Sequence, residues 1–359
     1  MSKIAIIGGG IAGLATANLL QQQGHEVTIS EREHGLPAKG NAFLMHPAGL
    51  EVLHELTHDT QADFLPGEYV RHFNLYSQTK VQLEDKSLNP WKCIKRKDLI
   101  QFLYSLVPAK DIHNGRLFSH FEFENGNAKR AVFTNGEKEE ADLFIGADGS
   151  NSIVRKELFG LTEYTDTEVK EIVCVTHFPE FAKKYKGVFT KFQDVTQGRA
   201  VGFIPSTDDE IVWFFQYDVS LADLEEETKP AMRKFCETNL ADFPPEVHRL
   251  IEENDFSTSY LWRTRDFDPL PKFHKRNIIL IGDAAHLALP FTSAGTTNAL
   301  VDAKVLTDCL AQAPDFQTAF DRFYELRHKE VTEQIYLGRK LKLQFLTPLN
   351  FQKLDVPLI

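Results

Sequence analysis

The triad Gly8-x-Gly10-x-x-Gly13 sits between an apolar run, Lys3-Ile-Ala-Ile-Ile7, and an amphipathic stretch that reads as a helix to about Gln23. Short apolar runs of this kind fit strands buried on both faces of a parallel sheet. Gly24-His25 ends the helix, and Glu26-Val-Thr-Ile-Ser30 reads as a second buried strand finishing at Glu31-Arg32. The first 32 residues therefore predict one βαβ unit. In such a unit the first glycine makes a tight turn, the second admits a pyrophosphate to the backbone, and the third lets helix and strand pack closely. The helix N-terminus at Gly10, Ile11 and Ala12 offers N–H groups and a positive dipole end to phosphate. Glu31 falls 18 residues after Gly13, where a ribose hydroxyl would sit. A carboxylate there disfavours a 2′-phosphate, so the nucleotide is FAD or NAD and not NADP. The motif does not choose between those two.

What surrounds this unit narrows the class further. At 359 residues, 42% hydrophobic and 25% charged, the chain has the make-up of a globular protein of two or three domains. Its 40 Lys+Arg against 51 Asp+Glu leave a net charge of −11, and no basic block could neutralise a row of phosphates, so nucleic acid is not an expected partner. Cys93, Cys174, Cys236 and Cys309 are widely spaced, which reads as four reduced thiols and neither a zinc site nor a disulfide framework. The expected compartment is the cytoplasm, with no exported leader, no membrane span and no metal. The 28 Phe residues point to an aromatic-rich core or an apolar pocket.

Along the chain, residues 35–41 read as a Gly/Pro/Lys loop, and 47–56 and 94–106 as helices. Asn114-Gly115, Asn125-Gly126 and Asn135-Gly136 are hairpin signals separating β-like stretches at 117–124, 129–134 and 139–145, an antiparallel meander. Further β-like runs at 172–178, 188–192, 200–205 and 211–217 predict a second sheet. Helices follow at 229–239 and 246–253, then an apolar strand at 277–281, then helices at 293–312 and 316–345. On the run containing Trp213, Phe214, Phe215 and Tyr217, alternation sends half the rings to each face.

Two later stretches decide the nucleotide. Residues 142–155 form an apolar strand running into Asp148-Gly149, then Ser152 and Arg155; residues 277–295 form a strand, Gly282-Asp283-Ala-Ala-His286, and a Pro290…Gly295 segment opening a helix. With Gly8–Gly13, Glu31-Arg32, Arg96-x-x-Leu99 and Asp302-Ala303, these occur in the order found in one family. The chain resembles the single-component, aromatic-hydroxylase type of FAD-dependent monooxygenase, with a p-hydroxybenzoate hydroxylase-like fold.

The resemblance implies an α/β architecture: a Rossmann-like FAD-binding domain (1–68, 93–165 and 262–345) interleaved with a mainly antiparallel substrate domain (69–92 and 166–261), closing C-terminal helices and a tail at 346–359. It places Glu31, with Arg32, at the adenosine ribose, Arg96 near the pyrophosphate, Asp148 at FAD and NAD(P)H contacts, and Asp283 on the ribityl chain of a non-covalent FAD. Gly295 and Thr296 would open the helix beside the isoalloxazine. The chain departs from the family's Pro-x-x-Gly-Gln-Gly-x-Asn, with Ser293 and Ala294 in place of the first Gly and the Gln, and Asn298 one place late.

The implied reaction uses NAD(P)H and O2 to form a flavin C4a-hydroperoxide, which hydroxylates an aromatic or other electron-rich small molecule. Rival readings are a flavin reductase, desaturase or oxidase without oxygen insertion, and a non-catalytic nucleotide-binding protein. The expected substrate walls are His46, Phe203, Tyr217 and Pro290, with His46 or Tyr217 as the polar handle for a phenol and the only candidate catalytic side chains. His286 reads as a packed structural histidine. The oligomeric state, the substrate's identity and the choice of NADH or NADPH have no signature in the sequence.

Overall fold

The computed structural model describes residues 1–35, 42–57 and 65–349. Strand β1 (Lys3–Ile7), helix α1 (Ile11–Gln22) and strand β2 (Glu26–Glu31) form the expected first unit. β1 and β2 pair in parallel, Ile4 against Val27. Helix α1 is buried from Ile11 to Leu20, because its Ala and Gly positions let other elements close on it from several sides. Residues 36–41 of the predicted loop and 350–359 of the predicted tail lie outside the described residues.

Next come strand β3 (Ala42–Met45), helix α2 (Pro47–Thr57), strands β4 (Glu68–Ser77) and β5 (Gln82–Lys95), helix α3 (Arg96–Ser105) and strand β6 (Ile112–Asn114). β6 joins the parallel sheet beside β2, so Asn114-Gly115 turns no hairpin. Strands β7 (Phe118–Glu124), β8 (Asn127–Phe133) and β9 (Lys138–Glu140) make the meander. Of the three Asn-Gly pairs, Asn125-Gly126 alone has both residues at positive φ, as a type I′ turn needs.

The stretch expected to be one strand at 139–145 is two, β9 in the meander and β10 (Leu143–Gly146) in the parallel sheet. The crossing is made at Asp142, whose N–H donates to Lys3 O (2.8 Å) while its carboxylate accepts from Lys3 N (2.9 Å). Helix α4 (Ile153–Phe159) follows, and later strands β16 (His274–Lys275) and β17 (Ile278–Leu280) complete a six-stranded sheet in the order β16-β17-β10-β1-β2-β6.

The second sheet has eight strands, adding β11 (Val169–His177), β12 (Val188–Gln193), β13 (Arg199–Pro205), β14 (Glu210–Asp218) and β15 (Tyr260–Arg263) in the order β15-β11-β14-β13-β12-β4-β5-β3. Strand β3, within the stretch 1–68 that sequence assigns to the nucleotide-binding part, hydrogen-bonds here against β5. β4 and β12 pair in parallel, far apart in sequence. One face of the sheet is covered by helices α5 (Pro179–Lys184), α6 (Lys229–Asn239) and α7 (Pro245–Glu253). Val247, Leu250 and Ile251 lie on one side of α7, the helical spacing of a core-facing stripe. They pack with Phe203, Trp213, Phe215 and Tyr217 from the sheet.

Helices α8 (Gly295–Gln312) and α9 (Phe316–Leu346) close the chain. α9 buries Phe320, Phe323 and Val331 against the parallel-sheet core. Further along, its Leu341 and Phe345 pack with Val169 and Ala200 of the second sheet and with Leu289 and Phe291. This one helix ties both sheets together. Among the described residues no helix is long and apolar enough to cross a membrane.

Candidate active site

A cleft opens between the two sheets, and the glycine loop forms one end of it. Gly8 has φ +115°, and a Cβ there would lie 2.3 Å from Ala147 O; a Cβ on Gly13 would lie 2.0 Å from Gly8 O. Both positions exclude a side chain for packing reasons. Gly10 differs, because a Cβ there would meet nothing within 4 Å. It faces the cleft with Ile11 and Ala12, at a helix N-terminus that no side chain caps. Uncapped N–H groups over open space fit a phosphate.

Glu31 is almost fully buried, and its carboxylate accepts from Gly9 N (2.7 Å) and Glu33 N (2.9 Å). It thus fixes the loop as well as marking the strand end. Arg32, expected beside the nucleotide, is exposed and faces Glu33 at 3.7 Å, because it stands one residue beyond the strand.

Farther along the cleft, Asp283 lies on the turn after β17, half-buried and lining the space with Arg96. Burial pushes its pKa up, against the pull of His286, Arg96 and Arg155. Arg96 stands at the start of α3. Arg155 sits beneath the cleft wall, 1% exposed, donating to Asp283 O (3.2 Å), Ala284 O (2.9 Å), Ser150 O (2.7 Å) and Tyr164 Oη (2.6 Å). It shapes the backbone that presents Asp283. The Asp148 carboxylate, expected at the cofactor, instead accepts from Ser152 Oγ (2.5 Å), Ile153 N (2.7 Å) and Val154 N (3.1 Å), holding the start of α4. Its neighbours Ala147 and Gly149 line the cleft in its place.

Pro290, Ser293, Gly295 and Thr296 line the next part of the wall. Ser293 occupies the position of the family's first glycine and still adopts the left-handed conformation, φ +52°. The turn survives the substitution, at the cost that a side chain bears in that region. α8 then starts at Gly295, again with no side-chain cap. Behind it, Asp302 is wholly buried and accepts from His286 Nε2 (2.6 Å), Arg327 Nε (2.7 Å) and Gly282 N (2.8 Å). Burial alone would raise the Asp302 pKa, but His286 and Arg327 prevail and hold it down at about 2. His286 is therefore a packed structural residue.

The expected substrate walls need three corrections. Phe203 and Tyr217 point to the opposite face, into the core under α6 and α7, because alternation along β13 and β14 puts them out of phase with the cleft. His46 is not on the cleft surface: its ring stacks on Trp91 at 4.0 Å, beside the backbone of Thr292 and Ser293. Burial pushes its pKa down to about 4, so the ring is neutral and braces the loop. Pro290 alone of the four lines the cleft.

The cleft face of the second sheet carries Val173, Ile204, Val212 and Phe214, with one polar group among them. Lys191, Gln216 and Glu171 are 6%, 4% and 5% exposed. Lys191 Nζ donates to Gln216 Oε1 (2.9 Å), and Gln216 Nε2 donates to Glu171 Oε1 (2.6 Å). Burial pushes Lys191 down to about 8 against the pull of Glu171, and pushes Glu171 up against Gln216 and Lys191. Sequence reading passed over these three. The available signal was a charged residue in the middle of otherwise apolar strands, Lys191 between Thr190 and Phe192, and Glu171 before Ile172.

An uncapped glycine-loop helix and an acid at a strand end thus face an apolar sheet across one cleft, which suits a dinucleotide cofactor on one wall and an apolar ligand on the other. The chain matches the FAD binding domain family over residues 1–320 and belongs to it. It is 30% identical to 3-amino-4-hydroxybenzoate 2-monooxygenase of Streptomyces cremeus, over 96% of this chain and 88% of that one. To 6-hydroxynicotinate 3-monooxygenase of Pseudomonas fluorescens it is 25% identical, over 93% and 89%. Its fold is that of 2,6-dihydroxypyridine-3-hydroxylase from Arthrobacter nicotinovorans (TM-score 0.87, 18% identity, 99% and 95% covered). Klebsiella pneumoniae HpxO, solved with FAD and uric acid, is likewise similar (TM-score 0.84, 22% identity, 94% and 87% covered). FAD is the cofactor.

Proposed function

We propose that this monooxygenase takes electrons from NAD(P)H and hydroxylates a small aromatic molecule held between the Pro290–Thr296 segment and the cleft face of β11–β14. The observation that carries this is the single cleft, with phosphate- and ribityl-type groups on one wall and an apolar sheet on the other. Bound FAD supplies the electron relay and the oxygen chemistry.

The protein's part is placement. In this reading the N–H groups at Gly10–Ala12 and the Arg96 guanidinium hold the pyrophosphate, Glu31 accepts from the adenosine ribose, and Asp283 accepts from the ribityl chain. The N–H groups at Gly295 and Thr296, at an uncapped helix start, favour negative charge on the ring's pyrimidine side. Val173, Val212 and Phe214 keep water from the ring and bury an arene. All four cysteines are buried and free, in keeping with a reducing compartment, and we place the protein in the cytoplasm.

The test is a panel of phenolic, heteroaromatic and polyketide compounds screened for stimulated NAD(P)H oxidation, with mass analysis of products. A product heavier by one oxygen supports the reading. Rapid substrate-independent oxidation yielding stoichiometric hydrogen peroxide would overturn it.

A further inference from the structure

The Pro290–Thr296 segment is held in a conformation that its own residues disfavour. Among the described residues five non-glycine residues have positive φ, and of these Ser293 alone lines the cleft. Its neighbour Thr292 is 3% exposed, and the Thr292 hydroxyl finds no hydrogen-bond partner among the described residues. A left-handed serine and an unpaired buried hydroxyl both oppose the fold of the turn. Two such features side by side persist where the surroundings impose them. Locally the turn has the bond from Ser293 N to Pro290 O (3.0 Å).

The imposing element is the far half of α9. Phe345 meets the Phe291 ring at 5.9 Å between centroids, and Leu289, Phe291, Leu341 and Phe345 form one buried cluster with Val169 and Ala200 of the second sheet. Gly338 brings the helix close, since a Cβ there would lie 3.4 Å from Leu289 Cβ. This half of the helix is itself tied down. Arg339 pairs with the wholly buried Asp266 (2.9 Å), and just past the helix Leu349 N donates to Val195 O (2.9 Å). A wedge fixed in this way passes its position to whatever packs against it.

Building on the reading of Gly295 and Thr296 as flavin-facing, we infer that Phe345 is a positioning residue for the flavin: by packing on Phe291 it holds Ser293 in the left-handed turn that aims the start of α8 into the cleft. Phe345 does not line the cleft, whereas Phe291 does, so the effect passes through Phe291. Glycine at position 293 would adopt this turn freely and need no brace. Serine stands there instead, and packing from α9 replaces the freedom that glycine supplies. Without the Phe345 ring the turn relaxes, and the N–H groups of Gly295 and Thr296 leave the flavin's pyrimidine side, where they favour negative charge.

The test reads FAD affinity by titrating the apoprotein, and the midpoint potential of the bound flavin, in the parent, Phe345→Ala, Ser293→Gly and the double variant. Phe345→Ala is expected to bind FAD about tenfold more weakly and to lower the potential, because the reduced flavin loses stabilisation. Adding Ser293→Gly should restore the parent's potential and bring the affinity back to within about twofold. Unchanged affinity and potential in Phe345→Ala, or a loss that Ser293→Gly does not reverse, would overturn the role. If Phe345→Ala does not fold, Gly338→Val, which presses on Leu289 instead, is read with and without Ser293→Gly in the same way. Thr296→Pro tests the underlying reading separately, since it removes one N–H from the helix start and leaves the wedge untouched. An unchanged potential in that variant would mean that α8 does not face the flavin.

Discussion

Arg155 Nη1 donates to the backbone carbonyl of Asp283 at 3.2 Å, tying the helix that follows β10 to the turn that follows its neighbour β17. The two residues do different work on the same stretch of wall. Asp283 presents a carboxyl to the cleft, and Arg155 holds the backbone behind it.

Their variants should therefore separate. Asp283→Ala is expected to weaken FAD by about one to two decades, the worth of a charged hydrogen bond, with little change in the unfolding midpoint of the apoprotein. Arg155→Met leaves the carbonyls of Asp283 and Ala284 unpaired and should cost roughly 2–5 kcal/mol of stability. Denaturant unfolding of both apoproteins, beside FAD titrations, checks this; equal midpoints would refute the division of labour.

The glycine loop gives a second pair. Gly10→Ala adds a methyl group into open space at an ordinary φ of −82°, so the apoprotein should keep its midpoint while FAD binds about tenfold more weakly. Gly13→Ala drives a methyl group against Gly8 O and should destabilise the fold by about 3 kcal/mol or prevent it from forming. Thermal melts of both proteins stripped of FAD read the difference.

Asp302 predicts a pH dependence. Its native pKa of about 2 lies below the unfolded value of about 3.9, so the unfolded chain binds the proton first as pH falls. The contribution to stability, on the order of 2–3 kcal/mol, is complete above the unfolded value and is lost as pH drops through the native one. Asp302→Asn should lack it. Urea midpoints of parent and variant should differ most near neutrality and converge toward about pH 2; a constant gap would contradict the assignment.

On the second sheet, Tyr217→Phe should leave FAD content and substrate-stimulated NAD(P)H oxidation unchanged, since that ring faces α6. Gly202→Ala should not be silent. Its Cβ would lie 2.2 Å from the Phe214 ring, which must swing into the cleft. A KM raised severalfold with normal FAD content is the expected signature.

The two walls were not equally legible. The first βαβ unit could be read because each glycine answers a specific contact, Gly8 against Ala147 and Gly13 against Gly8, and because Glu31 closes the strand on schedule. The cleft face of β14 could not. Val212-Trp-Phe-Phe-Gln-Tyr217 is apolar on both faces, since one packs under helices and the other lines the cleft, so alternation alone carries no sign. Only Gln216 breaks the symmetry, through partners on strands that the sequence cannot register. The break between β9 and β10 was hidden for a similar reason: Asp142 is a crossing point only because Lys3 receives it.

The parallel pairing of β4 with β12, His72 beside Val188, has a consequence for how the molecule is made. During synthesis the β4–β5 hairpin exists well before β12 does, and until then one edge of β4 is free to recruit a strand from another chain. β1 waits in the same way for β10. Such non-local closures are slow, and a nascent chain that already has its glycine loop lacks the facing sheet wall of the cleft until β14 ends at Asp218. The sheet wall of the cleft is thus the late-forming part of the enzyme, and expression at low temperature or with chaperone support should decide the yield of active protein more than the stability of the finished fold.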